Sequence, residues 1–410
     1  MINPSNRYAA ALATIAAAVA IAGCGSSGST TSSSASATGS TSASTATSST
    51  ISAGVSQTTG GAGSTSATVL AAAKRVVAEA TESNVAWTGP TSGPKAQKGK
   101  TVIVVASDLT NSGVLAVSKA IQQAGAAIGW NVKVLNGQGS SSGLTQALNQ
   151  ALAEKPAGII DDGYDFTTVK PEEDQIKQAG IPQVAWNGGP TPGPVSADDI
   201  YYNVAVSAPE VAKIAADYAI ANSNGKAHVV VFTDNEFAVA EAKANDMVTA
   251  IKACGGCSVL AYENTPIADA TQRVPPLTAA LLQKYHSDWT YSLAINDNYF
   301  EAMAPALASD GVSGAAAPLN ISAGDGSPDA FQRIRTGDDQ AATVAAPLGE
   351  QGWQVVDELN RAIAKAQPDD FVADPRLFDK ADIGTLGGPQ DTFIPNDEYQ
   401  KHYEQIWGVS

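Results

Sequence analysis

The side chains of this sequence that could do chemistry are carboxylates, amides and aromatic rings, grouped in short loops that each follow an apolar run. Asn111 lies beyond residues 101–106, Tyr164 and Asp165 stand in the stretch Asp161-Asp162-Gly163-Tyr164-Asp165, and Trp186 and Asn187 close the run that begins at Ile181. Later in the chain, Phe237 and Glu241 follow residues 227–232, Asn296, Asp297 and Tyr299 follow 289–295, and Asp325 follows 317–323. Planar carboxylate and amide groups bond hydroxyls in pairs, and aromatic faces cover apolar ring surface. Such chemistry holds a small molecule, each hydrogen bond to a charged group contributing roughly 1.5–3 kcal/mol. The chain carries no phosphate loop and no His-Glu-x-x-His. Carboxylates such as Asp162 and Asp325 could in principle hydrolyse a glycoside, but binding clefts carry such pairs as well. The chain is read as a binder that is not an enzyme and needs no cofactor. Simpler roles compete residue by residue: Asp165, Asp297 and Asp325 could cap helices, and Trp186 could pack at a strand end.

The elements around these loops form a repeating pattern. Residues 101–106 are apolar and β-branched, and 116–128 carry apolar residues at helical spacing, so the pair reads as strand, loop, helix. The alternation continues through strands near 131–135, 157–161, 181–187 and 200–204, then restarts with helix 208–220 and strand 227–232. This rhythm predicts parallel βα units and an α/β fold of two similar doubly wound lobes. In such sheets ligands settle at the carboxyl ends of strands, so the loops named above should line a cleft between the lobes. Residues 350–366 read as a long amphipathic helix, and Tyr399, Tyr403, Ile406 and Trp407 lie at helical spacing in a terminal helix. The organisation expected is a leader over 1–23, a tether over 24–68, an extension over 69–99, a first lobe of 100–203 plus about 347–373, and a second lobe of 204–346 plus about 374–410.

Charge and the first residues narrow the setting. The 410 residues carry 24 basic and 40 acidic side chains, a net charge of −16 that repels nucleic acid and anionic lipid headgroups. Residues 10–22 are an almost unbroken apolar segment ending at Gly23-Cys24, the pattern of a secretory signal. A cysteine directly after the small-residue cleavage site resembles the bacterial lipobox, which implies lipidation of Cys24 and anchorage to the membrane. Residues 25–67 are nearly all Ser, Thr, Gly and Ala, the composition of a solvated tether. Export suits the other cysteines, Cys254 and Cys257, read as a structural disulfide in a helix-to-strand turn in preference to a redox pair. The histidines His228, His286 and His402 are too scattered to complete a metal site with them.

Taken together, Val104-Val105-Ala106-Ser107 leading to Asn111, Ile181-Pro182 to Asn187, Ala294-Ile295-Asn296-Asp297 and Gly324-Asp325-Gly326-Ser327-Pro328 resemble the periplasmic binding proteins of the ribose- and galactose-binding type, which feed ABC importers. The likeness runs from Lys100 to about Ala366. It implies the type I fold with hinge closure, a sugar as the most fitting ligand, an ABC permease as partner and a monomeric chain on the outer face of the cell membrane. By the resemblance, Asn111, Asn296, Asp297 and Asp325 take ligand-bonding positions. Gly113 and Val114 stand where ribose binders place stacking aromatics, a departure that implies a wider pocket or a transfer of stacking to Tyr164. Gly188 and Glu241 stand where the family commonly has arginines. Their absence implies a cleft rich in acids, so a cationic or amine-bearing solute is an alternative to a sugar, and a sensor coupled to a membrane kinase is an alternative output. Sugar-responsive repressors share these lobes, but they begin with a DNA-binding motif that a secretion signal and tether replace here.

Overall fold

A computed structural model describes residues 62–83, 86–312, 316 and 318–409. The expected signal segment, Cys24 and the tether up to residue 61 lie outside them. The first sheet contains β1 (Thr101–Ala106), β2 (Asn131–Asn136), β3 (Gly158–Asp162), β4 (Gln183–Trp186), β5 (Gly193–Val195) and β6 (Ile200–Val204), in the order β2-β1-β3-β4-β6-β5. The second contains β7 (His228–Thr233), β8 (Ser258–Asn264), β9 (Tyr291–Ala294), β10 (Leu319–Ser322), β11 (Ala342–Ala345) and β12 (Arg376–Asp379), in the order β12-β11-β10-β9-β7-β8. All pairings are parallel except those of β5 with β6 and β12 with β11. This is the doubly wound two-lobe α/β fold expected from the sequence.

The helices are α1 (Ala62–Ala80), α2 (Ser112–Ile128), α3 (Ser141–Glu154), α4 (Lys170–Gln178), α5 (Ala208–Asn222), α6 (Ala238–Ala253), α7 (Ala270–Tyr285), α8 (Asn298–Ser309), α9 (Pro328–Thr336), α10 (Leu348–Ile363) and α11 (Tyr399–Trp407). β1 shows why its sheet is covered on both faces. Val102 and Val104 join the cluster that holds Val117 and Ile121 of α2 and Leu359 of α10, whereas Ile103 and Val105 point the other way onto Leu144 and Leu148. Each buried aliphatic side chain contributes about 1.5–3 kcal/mol, so both helix layers are held to the strand. The chain passes between the sheets after β6, before α10, before β12 and again before α11.

Three features differ from the sequence reading. α1 starts at Ala62, so the last residues assigned to the tether are helical; the helix packs on α5 and β12. α10 is buried on nearly its whole surface, not along one stripe. The extension covers its outer face, where the Asn360 amide donates to the Pro94 carbonyl at 3.2 Å and Arg361 Nη2 to the Ser92 carbonyl at 2.8 Å. α11, expected with the second lobe, packs on α2 and α10 of the first. Its Trp407 ring stacks on Trp353 with centroids 5.4 Å apart, and its indole N–H donates to Asp357 at 2.7 Å, contacts that only α10 can supply. Cys254 and Cys257 are joined by a disulfide in the turn from α6 to β8. Among the described residues, no helix is long and apolar enough to cross a membrane.

Candidate ligand-binding cleft

A cleft of about 780 Å³ separates the carboxyl ends of the two sheets and is lined by loops from both. On the first wall, Asn111 is the N-cap of α2. Its Oδ1 accepts from the Gly113 and Val114 amides at 2.9 and 3.4 Å, leaving its amide hydrogens for the cleft. Tyr164 is buried and presents part of its ring, while its hydroxyl donates to Asp161 Oδ1 at 2.6 Å. Asp165 caps the next turn, accepting from the Thr167 amide and hydroxyl at 2.9 and 2.6 Å. Trp186 lines the floor with its indole N–H fixed to Gln351 Oε1 at 2.9 Å, and beside it Asn187 holds a left-handed backbone at φ 50°.

The second wall carries the less committed groups. Asn296 donates through Nδ2 to Asp325 Oδ2 at 2.8 Å and accepts from the Asn298 amide at 3.0 Å. Asp325 sits at φ 36° and turns its carboxylate towards the opposite wall. A Cβ on Gly113 would lie 2.8 Å from Asp325 Oδ2, so the start of α2 approaches this carboxylate closely and a side chain there would displace it. Phe237 opens α6 with a half-buried ring in the cleft, and Lys243 lies further along the same helix. Lys243 is only 8% exposed and has no hydrogen-bond or ion-pair partner among the described residues, yet it lines the cleft. Burial lowers its pKa, against the raising effect of the Asp325 and Asp297 charges.

Comparison with known proteins bears on this arrangement. Residues 102–367 match the family model for the periplasmic binding protein domain, which is well over half of the chain. The chain belongs to the periplasmic binding protein family. Solved structures share the fold at low identity. A sugar ABC transporter protein from Yersinia enterocolitica is 15% identical with a TM-score of 0.64, covering 78% of this chain and 99% of its own. A solute-binding protein from Agrobacterium vitis with bound allitol is 20% identical (TM-score 0.60; 70% and 97% covered). The arabinose transporter component from Shewanella sp. ANA-3, bound to L-arabinofuranose, is 16% identical (TM-score 0.61; 75% and 97% covered). No curated protein matches the sequence significantly.

In this periplasmic binding protein the cleft gathers Asn111, Tyr164, Asp165, Trp186, Asn187, Phe237, Asn296 and Asp325 of the residues singled out from sequence. Three others stand elsewhere. Asp297 is 1% exposed and lies behind the wall, where its carboxylate accepts from the Gly326 and Ser327 amides at 3.0 Å each, from Gln340 Nε2 at 2.7 Å and from the Thr343 hydroxyl at 3.0 Å. Tyr299 is fully buried with its hydroxyl donating to the Thr265 carbonyl at 2.6 Å. Glu241 is exposed on α6 and does not line the cleft.

The lining holds six carboxylates, Asp108, Asp165, Asp234, Glu236, Glu301 and Asp325, against one ammonium, that of Lys243, which the sequence reading did not single out. Asp108, Asp165 and Asp234 spend carboxylate oxygens on neighbouring backbone amides. The space at Gly113 is not a widening, because Asp325 reaches into it from the other wall. A sequence signal for Lys243 existed: it is a lysine set within the apolar stripe Ala240, Ala244, Met247 and Ile251 of α6, where a charge needs a reason.

Behind the first wall lies a second set of acids. Burial raises the Asp161 and Glu173 carboxyls, which share the amide of Gln183, and it pushes Asp162, bonded by the Ser118 hydroxyl at 2.5 Å, up to about 8. These groups support Tyr164 and α2 from within and do not line the cleft.

Proposed function

We propose that this protein is the exported solute-binding component of an ABC importer, that it binds a sugar or sugar alcohol in the interlobe cleft, and that its two lobes close on the ligand by hinge bending. The observation that carries the reading is the unpartnered ammonium of Lys243 on the same wall as the Asn296–Asp325 pair, with the ring of Phe237 alongside. A vicinal diol satisfies both kinds of group at once, one hydroxyl accepting from Lys243 and another donating to Asp325. Phe237 offers a face for the C–H side of a ring. The allitol and arabinofuranose in the two neighbouring structures are ligands of this chemistry. A cationic or amine-bearing solute is the second reading, because the lining carries six carboxylates against the one ammonium of Lys243. The Lys243 ammonium on the same wall as Asp325 is what favours a hydroxylic ligand.

The ligand shifts the population towards the closed form because it touches both walls. The loaded protein then meets a membrane permease, while a diacylated Cys24 and the Ser/Thr-rich tether keep it at the outer face of the cell membrane. A thermal-shift screen of pentoses, hexoses, polyols and amines tests the reading, followed by calorimetry on Lys243→Met. The expected result is stabilisation by sugars or polyols that Lys243→Met weakens about tenfold or more. Stabilisation by amines alone would reject it.

A further inference from the structure

We infer that residues 62–99 form a strap that joins the two lobes, limits how far the cleft opens and so raises its affinity for ligand. The inference rests on the lobe closure proposed above and adds a regulator of that site from within the chain. Four passages already connect the lobes, after β6 and before α10, β12 and α11. The N-terminal segment is a fifth connection, because its two halves are fastened to different lobes. The first half belongs to the second lobe. α1 packs on α5 and β12 and buries Ala73 and Ala80, two turns apart on one face, with Val69, Val76 and Val77 against the core. Lys74 Nζ donates to Asn224 Oδ1 at 3.2 Å, and Arg376 Nη1 at the start of β12 donates to the Glu79 carbonyl at 3.0 Å.

The second half belongs to the first lobe. The Trp87 ring stacks on His402 of α11 with centroids 4.7 Å apart and meets Tyr403 edge-on at 5.4 Å. Besides the bonds from Asn360 and Arg361 of α10, the Ala96 amide donates to the Trp407 carbonyl at 3.0 Å, the Gln97 amide to Asn360 Oδ1 at 3.0 Å, and the Trp130 indole to the Gln97 carbonyl at 2.8 Å. A Cβ on Gly93 would lie 2.9 Å from Arg361 Nη2 and from Ile406 Cγ2, so the segment lies flat on α10 and α11. The join between the halves is short, and its ends meet two of the passages. The Ser83 carbonyl accepts from Asn396 Nδ2 at 3.3 Å in the passage before α11, and the Trp87 ring meets Phe371 at 5.5 Å in the passage before β12. Four residue steps separate Ser83 from Trp87 and span at most about 14 Å. So short a connection lets out little length when the lobes part.

The limit acts on opening alone. Closure is already bounded by the walls, since the Asp325 carboxylate of one comes so near the start of α2 on the other that a Cβ on Gly113 would lie 2.8 Å from its Oδ2. A restraint on relative motion therefore removes open conformations. These compete with the closed one, so the ligand has a smaller shift to drive and binds more tightly.

The test cuts the strap. A protease recognition site is inserted after Ser83 in the full chain, with spin labels at Gln146→Cys on α3 and Gln272→Cys on α7, both exposed and one on each lobe. Cys24→Ser removes the remaining thiol, since Cys254 and Cys257 are held in their disulfide. Pulsed electron resonance of the unliganded protein reads the interlobe distances before and after cutting, and calorimetry with allitol and L-arabinose reads affinity. The expected result is that longer distances appear on cutting, that bound ligand restores the short ones, and that affinity falls about threefold or more. Ala73→Arg, which frees α1 from α5, should do the same without an inserted site. Unchanged distances in the cut, folded protein overturn the strap, and a lower melting temperature beside them would leave α1 a packing role only. If neither compound binds the uncut protein, the sugar reading fails and the distances still decide the strap.

Discussion

The loop after β9 and the loop after β10 each place an aspartate near the second wall, and the two residues have opposite jobs. Asp297 has both carboxylate oxygens filled, by two backbone amides, an amide side chain and a hydroxyl, and is 1% exposed. Asp325 has a single bond from Asn296 and turns to the cleft. The bonds of Asp297 run to residues 326 and 327, so the buried acid fixes the backbone immediately after Asp325. One carboxylate builds the loop, and the other is presented by it. The difference follows from how many lone pairs are already occupied, which the identity of the residue does not reveal.

Breaking the buried member should have the largest effect. Asp297→Ala leaves the Ser327 amide without an acceptor in a dry site, at about 1–3 kcal/mol for a group that water cannot reach. It also takes one of two acceptors from each of the Gly326 amide, Gln340 and Thr343, which keep the Gly324 and Ala342 carbonyls. Denaturant unfolding should show a loss of about 2 kcal/mol or more, and ligand affinity should fall only as a consequence of the disturbed loop. Unchanged stability would mean that Asp297 does not build that loop.

A smaller effect sharpens the contrast from the first lobe, where Asp162 is buried without a cation. Its carboxyl is raised to about 8, chiefly by burial, whereas an unfolded aspartate titrates near its ordinary value of about 3.9. Between those pH values the folded chain keeps a proton that the unfolded chain has lost. Stability from this group is therefore full at low pH and declines as pH rises from about 4 towards 8, with a slope of at most about 1.4 kcal/mol per pH unit. Asp161 and Glu173, also raised by burial, act in the same direction. Asp162→Asn should flatten the fall in melting temperature between pH 5 and pH 8, and a profile identical to that of the parent would refute the assignment.

The fold was legible because parallel strands covered on both faces read as continuous apolar runs, and their alternation with helical spacing is hard to mistake. What escaped was local. β5 is Gly193-Pro194-Val195, a composition against strand formation, and it forms only as an antiparallel edge where proline is tolerated. α7 begins at Ala270 and runs through Pro275 and Pro276, which the sequence reading took as a helix start at Leu277. In the site, loops at strand ends gave the right neighbourhood, and most of the residues proposed from them meet in one cavity. Spacing could not say which polar group spends its bonds inward, as Asp297 and Tyr299 do. Glu241 was named for its place in the first turn of α6, whereas Lys243, two residues on within the apolar stripe, was not singled out.

The central claim is that the free carboxylate of Asp325, beside Lys243, holds the hydroxyls of a sugar in the cleft. Calorimetric titration of Asp325→Ala with the sugar or polyol that most stabilises the parent, paired with a melting curve, tests it most directly. The account predicts a loss of affinity of about tenfold or more with the melting temperature of the unliganded protein nearly unchanged. Parent-like affinity in a folded Asp325→Ala protein would contradict it.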